Sequence, residues 1–177
     1  MGKEPISPLY IRYTGLVDFD ALYAAVIDWC KNYGYTWHET TYKHKIPSPK
    51  GAEQRLFWKI EKEVTDYIKH EFKMEARVWD LNEIIIEKGG KKKSLSSGKF
   101  QIIITGNLRW DWQDRWGKNK FTQKLGKIYD SVIMKKDISS LYWDTMYYRV
   151  WNLHALIKKF FDMQAKWHTY KTYLREN

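Results

Sequence analysis

Residues 66–80 read DYIKHEFKMEARVWD, and this stretch decides the fold. Every second side chain is apolar or a histidine, namely Ile68, His70, Phe72, Met74, Ala76 and Val78. The positions between them are charged, namely Lys69, Glu71, Lys73, Glu75 and Arg77. A period of two is typical of a strand that buries one face and exposes the other. We therefore predict an antiparallel strand whose apolar side chains are buried and whose charged side chains are exposed.

The same period of two continues on both sides of this stretch. Residues 35–46, 53–64, 83–88 and 99–112 are predicted strands, and residues 9–13 are a short β-prone segment near the start. Residues 89–98 read GGKKKSLSSG and predict a polar hairpin tip between the last two strands. Together these segments predict an antiparallel sheet of about five to six strands.

Three further segments have the helical period of 3.6 residues. Residues 19–33 are apolar at spacings of three and four, with Asp18 placed to cap the helix and Gly34 to end it. Residues 119–136 predict a basic helix with an apolar stripe, capped by Asn119. A long C-terminal helix is predicted to begin near residue 139. Its core face consists of Met146, Val150, Leu153, Ile157 and Phe161.

The order of these elements predicts an α+β fold. The antiparallel sheet is covered on one face by the N-terminal helix and the long C-terminal helix. We expect one domain over residues 1–177, with residues 165–177 as a candidate protruding helical tail. The element order over roughly residues 8–165 resembles the helix-grip arrangement of the START and cyclase-like lipid-binding domains. This resemblance implies a curved sheet around the C-terminal helix, with an apolar cavity between the two.

The composition excludes several classes of protein. Aromatic residues make up 17% of the 177 residues, which is too much apolar surface for a disordered chain. Cys30 is the single cysteine, which excludes a disulfide scaffold and a cysteine-based zinc site. No apolar run approaches the roughly 20 residues of a membrane span, and the start of the chain lacks the apolar region of a signal peptide. We expect a soluble, cytoplasmic protein.

No motif nominates an enzyme. The Gly89-Gly90 pair lacks the following helix and the Lys-Ser/Thr spacing of a phosphate-binding loop, and there is no nucleophile elbow. His38 and His44 would share a strand face about 20 Å apart, which is too far to hold one metal ion. We expect no catalytic residues, no cofactor and no metal site, and we expect His70 to be hydrogen-bonded in the core.

The positive charge is concentrated in the middle of the chain. Residues 88–136 contain 13 basic and three acidic side chains, while the whole chain has a net charge of +10. A block of one sign is typical of a surface that binds phosphates or another anionic partner. We expect the hairpin tip and the basic helix to form one anion-binding surface. Its candidate residues are Lys91, Lys92, Lys93, Lys99, Arg115, Lys118, Lys120, Lys124 and Lys127.

A second unusual feature is the aromatic segment over residues 110–116, which reads WDWQDRW. These tryptophans could stack a planar ligand, or they could pack on the helix that follows. Together with the expected cavity under the sheet, they give a candidate ligand pocket. Its residues are Phe72, Met74, Trp110, Trp112, Trp116 and Trp151.

Three function hypotheses stay open. The first is a non-catalytic domain that binds an apolar or aromatic ligand, such as a lipid, between the sheet and the C-terminal helix. The second is a nucleic-acid-binding module that uses the lysine tip and the basic helix; an anionic membrane surface is another partner for the same charges. The third is a scaffold or assembly subunit with an aromatic protein interface. The ligand and the oligomeric state are not indicated.

Overall fold

The computed structural model describes residues 2–48, 51–88, 91–117 and 119–162. Its strands are β1 (Gly2–Val17), β2 (Thr36–Ser48), β3 (Gly51–Glu63), β4 (Ile68–Lys88) and β5 (Lys91–Trp110). Its helices are α1 (Phe19–Asn32), α2 (Lys120–Ile128) and α3 (Trp143–Phe160). Two π-helical turns, Tyr129–Ile133 and Asp137–Tyr142, lie between α2 and α3. The protein therefore has the α+β fold that the sequence predicts.

The described strands form one antiparallel sheet in the order β1-β5-β4-β3-β2. The strands β2 to β5 each pair with the next in sequence, whereas β1 pairs with β5. The helix α1 therefore carries the chain from one edge of the sheet to the other. The order of elements is the predicted, helix-grip-like one: a strand, a helix, four strands and then helices.

The predicted alternation of residues 66–80 is confirmed for the apolar side chains, whereas of the charged ones Lys73 is exposed, Lys69, Glu75 and Arg77 are half-buried and Glu71 is buried. The side chains of Phe72, Met74 and Val78 are at most 1% exposed. The register places Met74 between Trp58 of β3 and Ile104 of β5, so the buried face continues across three strands. A slip of one residue would place the charged side chains inside, and this apolar face therefore fixes the register.

The helix α3 packs on the buried face of the sheet. Its side chains Met146, Val150 and Ile157 are completely buried, as the sequence predicts for its core face. The helix passes close to β5 at Gly106, where an added Cβ would lie 3.2 Å from Ile6 and 3.4 Å from Val150. A larger residue at this position would force α3 away from the sheet.

The helix α1 begins and ends as predicted. The Asp18 side chain accepts a hydrogen bond in the first turn, and Gly34, just after the helix, has a φ angle of +68°. Val26 and Trp29 are buried, and Trp29 Nε1 donates to Asn152 Oδ1 of α3 at 2.7 Å. The two helices are therefore joined by a hydrogen bond as well as by apolar contact.

Three strands differ from the sequence prediction, and the first is β1, which extends over Gly2–Val17 instead of the short segment 9–13. The segments 66–80 and 83–88 form one strand, β4, with an irregularity between Trp79 and Asn82. Residues 91–98, predicted as part of a polar tip, belong to β5, because their backbone pairs with residues 82–88 of β4. Ladder hydrogen bonds thus outweigh the low strand propensity of glycine and lysine.

The basic helix also differs from its prediction. The sequence predicts one helix over residues 119–136, but α2 ends at Ile128 and the chain continues as π-helical turns. Asn119 caps α2 as predicted, because its side chain accepts from the Phe121 N–H. Residues 163–177, which include the predicted tail, lie outside the described residues. Among the residues that are described, no helix is long and apolar enough to cross a membrane.

Candidate functional site

The face of the sheet opposite the helices, which we call the outer face, carries the charged side chains of β4. Strand pairing aligns side chains on this face in rows that cross the sheet. The central row consists of Thr41, Phe57, Glu75, Ile103 and Tyr10. Phe57 and Ile103 are half-buried, and Tyr10 is 56% exposed. The central row therefore has apolar or aromatic side chains on both sides of the Glu75 carboxylate.

Two basic rows flank the central row. On one side the register aligns Lys43, Arg55, Arg77, Gln101 and Arg12. On the other side it aligns His38, Lys59, Lys73 and Thr105. Across these three rows, six side chains are Lys or Arg and one, Glu75, is a carboxylate. Like charges on neighbouring strands destabilise a sheet, so folding alone does not favour this arrangement.

Glu75 offsets part of the repulsion. Its Oε1 accepts from Arg77 Nε at 2.5 Å and lies 3.8 Å from Arg55 Nε. The hydrogen bond to Glu75 raises the pKa of the Arg77 guanidinium. One carboxylate of the central row is thus shared between two arginines of the flanking row, which leaves an excess of positive charge in that flanking row.

Lys43, Lys73 and Arg12 form no ion pair with any carboxylate in the described part of the chain. Lys59 differs, because its Nζ lies 2.8 Å from Glu61 Oε1 in the next row. Burial raises the pKa of Glu61, but two neighbouring lysines outweigh burial and the pKa is lowered. The cations without a partner are therefore the ones available to an anionic ligand.

A groove of about 650 Å³ opens over the centre of the outer face. Phe57 and Ile103 provide its apolar surface, and Lys43, Lys59 and Lys73 line it together with threonines of β2 and β5 and with Glu75, whose carboxylate is already paired with Arg77. Such a groove combines an apolar surface with cations and hydroxyl groups, which suits a ligand that has both flat apolar groups and negative charge.

A second groove, of about 270 Å³, lies on the same face next to the row that contains Arg12. It is lined by Arg12, Gln101, Trp79 and Lys99 among others. Lys99 Nζ is also 2.8 Å from Asp80 Oδ2. The outer face thus offers a path longer than one groove, with aromatic side chains and cations along it.

The predicted pocket residues do not lie together. Phe72 and Met74 are core residues packed under α3. Trp151 lies on α3, half-buried, and its ring meets those of Tyr147 and His154 edge-on. Neither of the two grooves above lies between the sheet and α3, and neither does a third cavity that is described below. The interior ligand pocket therefore stays a prediction.

The remaining predicted pocket residues belong to a hydrogen-bonded cluster at the end of β5. Trp110 Nε1 donates to Asp130 Oδ2, and Trp116 Nε1 donates to the Tyr67 hydroxyl, both at 3.1 Å. The Tyr67 hydroxyl donates to Asp130 Oδ1, and Trp112 Nε1 donates to a backbone carbonyl of the β3–β4 turn. Of the two interpretations of the aromatic segment, these contacts support packing rather than ligand binding. They attach the segment after α2 to the strand ends.

A third cavity, of about 200 Å³, lies beside this cluster and is lined by Asp111, Asp114 and Lys127 among others. Within the described ranges, no group of three His, Cys, Asp or Glu side chains is arranged to hold a metal ion. His70 lies in the core, where its Nδ1 is 3.0 Å from the Tyr35 hydroxyl. Burial lowers the pKa of His70 to about 4, so the ring is neutral at pH 7.

The predicted anion-binding residues do not form the single surface that we expected. Lys91 and Trp110 are the two ends of β5, about 60 Å apart along an extended strand. The hairpin tip lies at one end of this strand and α2 follows the other end. The basic block of the sequence therefore divides between opposite ends of the sheet.

Three of these candidates are exposed on α2, namely Lys120, Lys124 and Lys127. Arg115 lies 3.1 Å from Asp66, and Lys99 pairs with Asp80. Lys118 and the side chains of Lys91, Lys92 and Lys93 lie outside what the structure describes. Among the described members of this set, the exposed cations without a carboxylate partner are therefore the three lysines of α2.

The sequence predicts that Lys73 and Arg77 are exposed, which holds for Lys73, but it does not predict the rows of the outer face. Phe57 and Lys43 belong to these rows because of the register between strands, and the sequence does not reveal that register. One signal was available, because residues 55–59 alternate so that Phe57 lies between two basic side chains on one strand face. In comparisons with known proteins, no family model and no curated protein matches this chain, so its function is inferred from the geometry above.

Proposed function

We propose that this protein is a non-catalytic module that binds single-stranded nucleic acid on the outer face of its sheet. The observation that carries the proposal is the central row, in which Phe57, Ile103 and Tyr10 lie on either side of Glu75 and between two rows of cations. The positive charge meets phosphates and the central row meets bases. The sequence hypothesis of a nucleic-acid-binding module is kept, but its location is moved from the tip and α2 to the sheet.

Both parts of a single strand find a complement on this face. Aromatic side chains stack on bases of any sequence, and lysines and arginines bind the phosphates beside them. Phe57 and Tyr10 lie three strands apart, about 14 Å, and so provide two separate stacking surfaces. Lys43 and Lys73 lie on opposite sides of the central row, where a backbone on either side of the stacked bases would pass.

The shape of the face favours a single strand over a duplex. The major groove of a duplex admits a helix or a two-stranded ribbon, whereas this face is a sheet of five described strands. A single strand can instead lie across the sheet with its bases splayed onto the central row. We therefore expect a preference for single-stranded ligands.

The other two hypotheses from the sequence are kept as alternatives. An apolar ligand between the sheet and α3 would require space near Phe72 and Met74, which are at most 1% exposed and packed with α3. A scaffold role would require a protein partner for the same outer face. Neither has an observation as direct as the flanked aromatic row.

The test is fluorescence anisotropy with a labelled single-stranded oligonucleotide of about 12 nucleotides. We expect binding at low salt that weakens as salt is added. Replacing Lys43 and Lys73 together by Ser is expected to reduce the slope of log Kd against log salt by about 1.4, because each phosphate contact with a single strand contributes about 0.7. The matched control is Lys31→Ser, which removes an exposed lysine of α1 on the other side of the molecule.

Phe57 provides the second arm of this test. Phe57→Ala is expected to weaken binding about tenfold with an unchanged salt slope, because one stacked base contributes on the order of 1–3 kcal/mol. Phe57→Trp keeps a stacking surface and is expected to bind as the parent does. The proposal fails if the parent does not bind at low salt, or if Lys31→Ser weakens binding as much as the outer-face variants do.

A further inference from the structure

The apolar side chains of α2 and of the turn after it face solvent. Phe121, Leu125, Ile128 and Val132 follow one another at spacings of four, three and four residues, which forms one stripe along a helix. We call these four residues the α2 stripe, and they are between 42% and 73% exposed. The sequence predicts this stripe, and the structure leaves its side chains exposed.

The opposite side of α2 is the one attached to the protein. An added Cβ at Gly126 would lie 2.6 Å from Trp116, so the helix backbone rests on that ring. Asp130, in the turn that follows, accepts hydrogen bonds from Tyr67 and Trp110. Because these contacts hold the segment on the strand ends, the α2 stripe cannot turn inward without breaking them.

We propose that the α2 stripe docks on the surface of an anionic lipid bilayer, with α2 lying in the plane of the interface. Exposed lysines accompany the stripe at Lys120, Lys124 and Lys127. An apolar stripe beside a row of lysines is the arrangement of helices that lie in a membrane interface. Acidic headgroups supply the charge that complements these lysines. The observations behind this proposal are independent of the outer face.

Charge also favours an anionic bilayer over two other partners that could cover the α2 stripe, namely the C-terminal residues of the chain and a second copy of the protein. Residues 163–177, which could cover the stripe from within the chain, contain three Lys or Arg and one Glu. A second copy of the chain would bring the same lysines against each other. Both of these partners carry positive charge, as α2 does, whereas a surface of acidic lipids carries negative charge.

The test uses the full chain with the change Val132→Cys and an environment-sensitive NBD label. Labelling is specific because Cys30, the other cysteine, is 1% exposed. We expect a blue shift of NBD emission, and co-sedimentation, with vesicles of phosphatidylcholine and about 30% phosphatidylserine, but not with phosphatidylcholine alone. Replacing Lys120, Lys124 and Lys127 together by Ser is expected to lower the partition coefficient on the order of 100-fold.

The apolar arm of the test is the double change Ile128→Ser and Val132→Ser. It is expected to lower the partition coefficient at least about tenfold, because less apolar area is buried in the interface. The matched control is Ile85→Ser, which removes an equally exposed apolar side chain of β4 and should leave partition unchanged. Circular dichroism is expected to show the parent fold in all variants, because every changed side chain is exposed.

Three outcomes would overturn the proposal. The first is an unshifted NBD spectrum with phosphatidylserine vesicles. The second is an NBD group that is already protected from an aqueous quencher before vesicles are added and stays protected on dilution, which would indicate cover by residues 163–177. The third is protection that is lost on dilution together with a halving of the mass in sedimentation equilibrium, which would indicate a second copy.

Discussion

His70 is a titratable side chain enclosed by apolar residues and hydrogen-bonded to Tyr35. Its unfolded pKa is about 6.5, whereas burial lowers its folded pKa to about 4. Between these two values the unfolded chain binds a proton that the folded protein does not bind. The contribution of His70 to stability is therefore fully present above about pH 6.5 and is lost as the pH falls toward 4.

We expect the free energy of unfolding to decrease by up to about 3 kcal/mol from this group as the pH falls through that range. Urea unfolding at a series of pH values between 7 and 4 measures the decrease. In the variant His70→Phe the decrease should shrink to what other groups contribute, among them His154, whose pKa burial also lowers, and Glu61, whose pKa two lysines lower. A variant that kept the full pH dependence of the parent would assign it to other groups.

At the scale of single residues, much of the core was predictable and the outer face was not. Alternation in one strand is enough to predict that Phe72 and Met74 are inside, because a buried face permits one register. The neighbours of Lys73 on the outer face depend on which strands lie beside β4. The neighbours of β4 are set by pairing between segments that are distant in sequence. A polar face has no hydrophobic pattern from which this pairing could be predicted.

Among the elements, α1 has one face buried and one exposed, which allows a matched comparison. Val26 is 2% exposed, and Ala24, on the same helix, is exposed. Val26→Asp is expected to lower the free energy of unfolding by on the order of 3–5 kcal/mol, because the new carboxylate has no partner in the core.

Thermal unfolding followed by circular dichroism measures this change. Ala24→Asp adds the same carboxylate to the solvent side of α1 and should leave Tm near that of the parent. Equal stability of the two variants would contradict the assignment of the buried face.

The two amphipathic helices α1 and α2 differ in a way that periodicity does not detect. Both have apolar stripes, but the stripe of α1 is buried and that of α2 is exposed. An apolar stripe predicts that one side of a helix contacts an apolar surface, but it does not show whether that surface is the protein core or another partner. For α2, Gly126 was the informative residue, because a glycine in mid-helix permits the contact with Trp116 that places the other side outward.

In the whole molecule, the two proposed surfaces do not overlap. The outer-face groove lies at the middle of β3, β4 and β5, on the side away from the helices. The α2 stripe lies on a segment attached through Trp110 and Tyr67 at the far ends of β4 and β5. The basic block over residues 88–136 does not predict this separation, because the cations of the three outer-face rows lie outside it and its own two parts lie at opposite ends of β5.

We therefore expect the protein to hold both partners at once. A labelled single-stranded oligonucleotide should float with phosphatidylserine-containing vesicles when the protein is present and remain in solution when it is absent. The Lys43→Ser and Lys73→Ser double variant should reach the vesicles without the oligonucleotide. Mutual exclusion of the two partners by the parent protein would show that they compete for one surface.

The pairing of β1 with β5 has a consequence for how the chain is made. The strand β1 must wait for its ladder hydrogen bonds until residues 96–110 of β5 have been synthesised, because it pairs with none of the strands described between them. At about 5–20 residues per second, this interval is on the order of 5–20 s. Throughout it, Ile6 and Ile11 are exposed on an unpaired strand of 16 residues. During this interval β1 is open to capture by a chaperone or by another nascent chain.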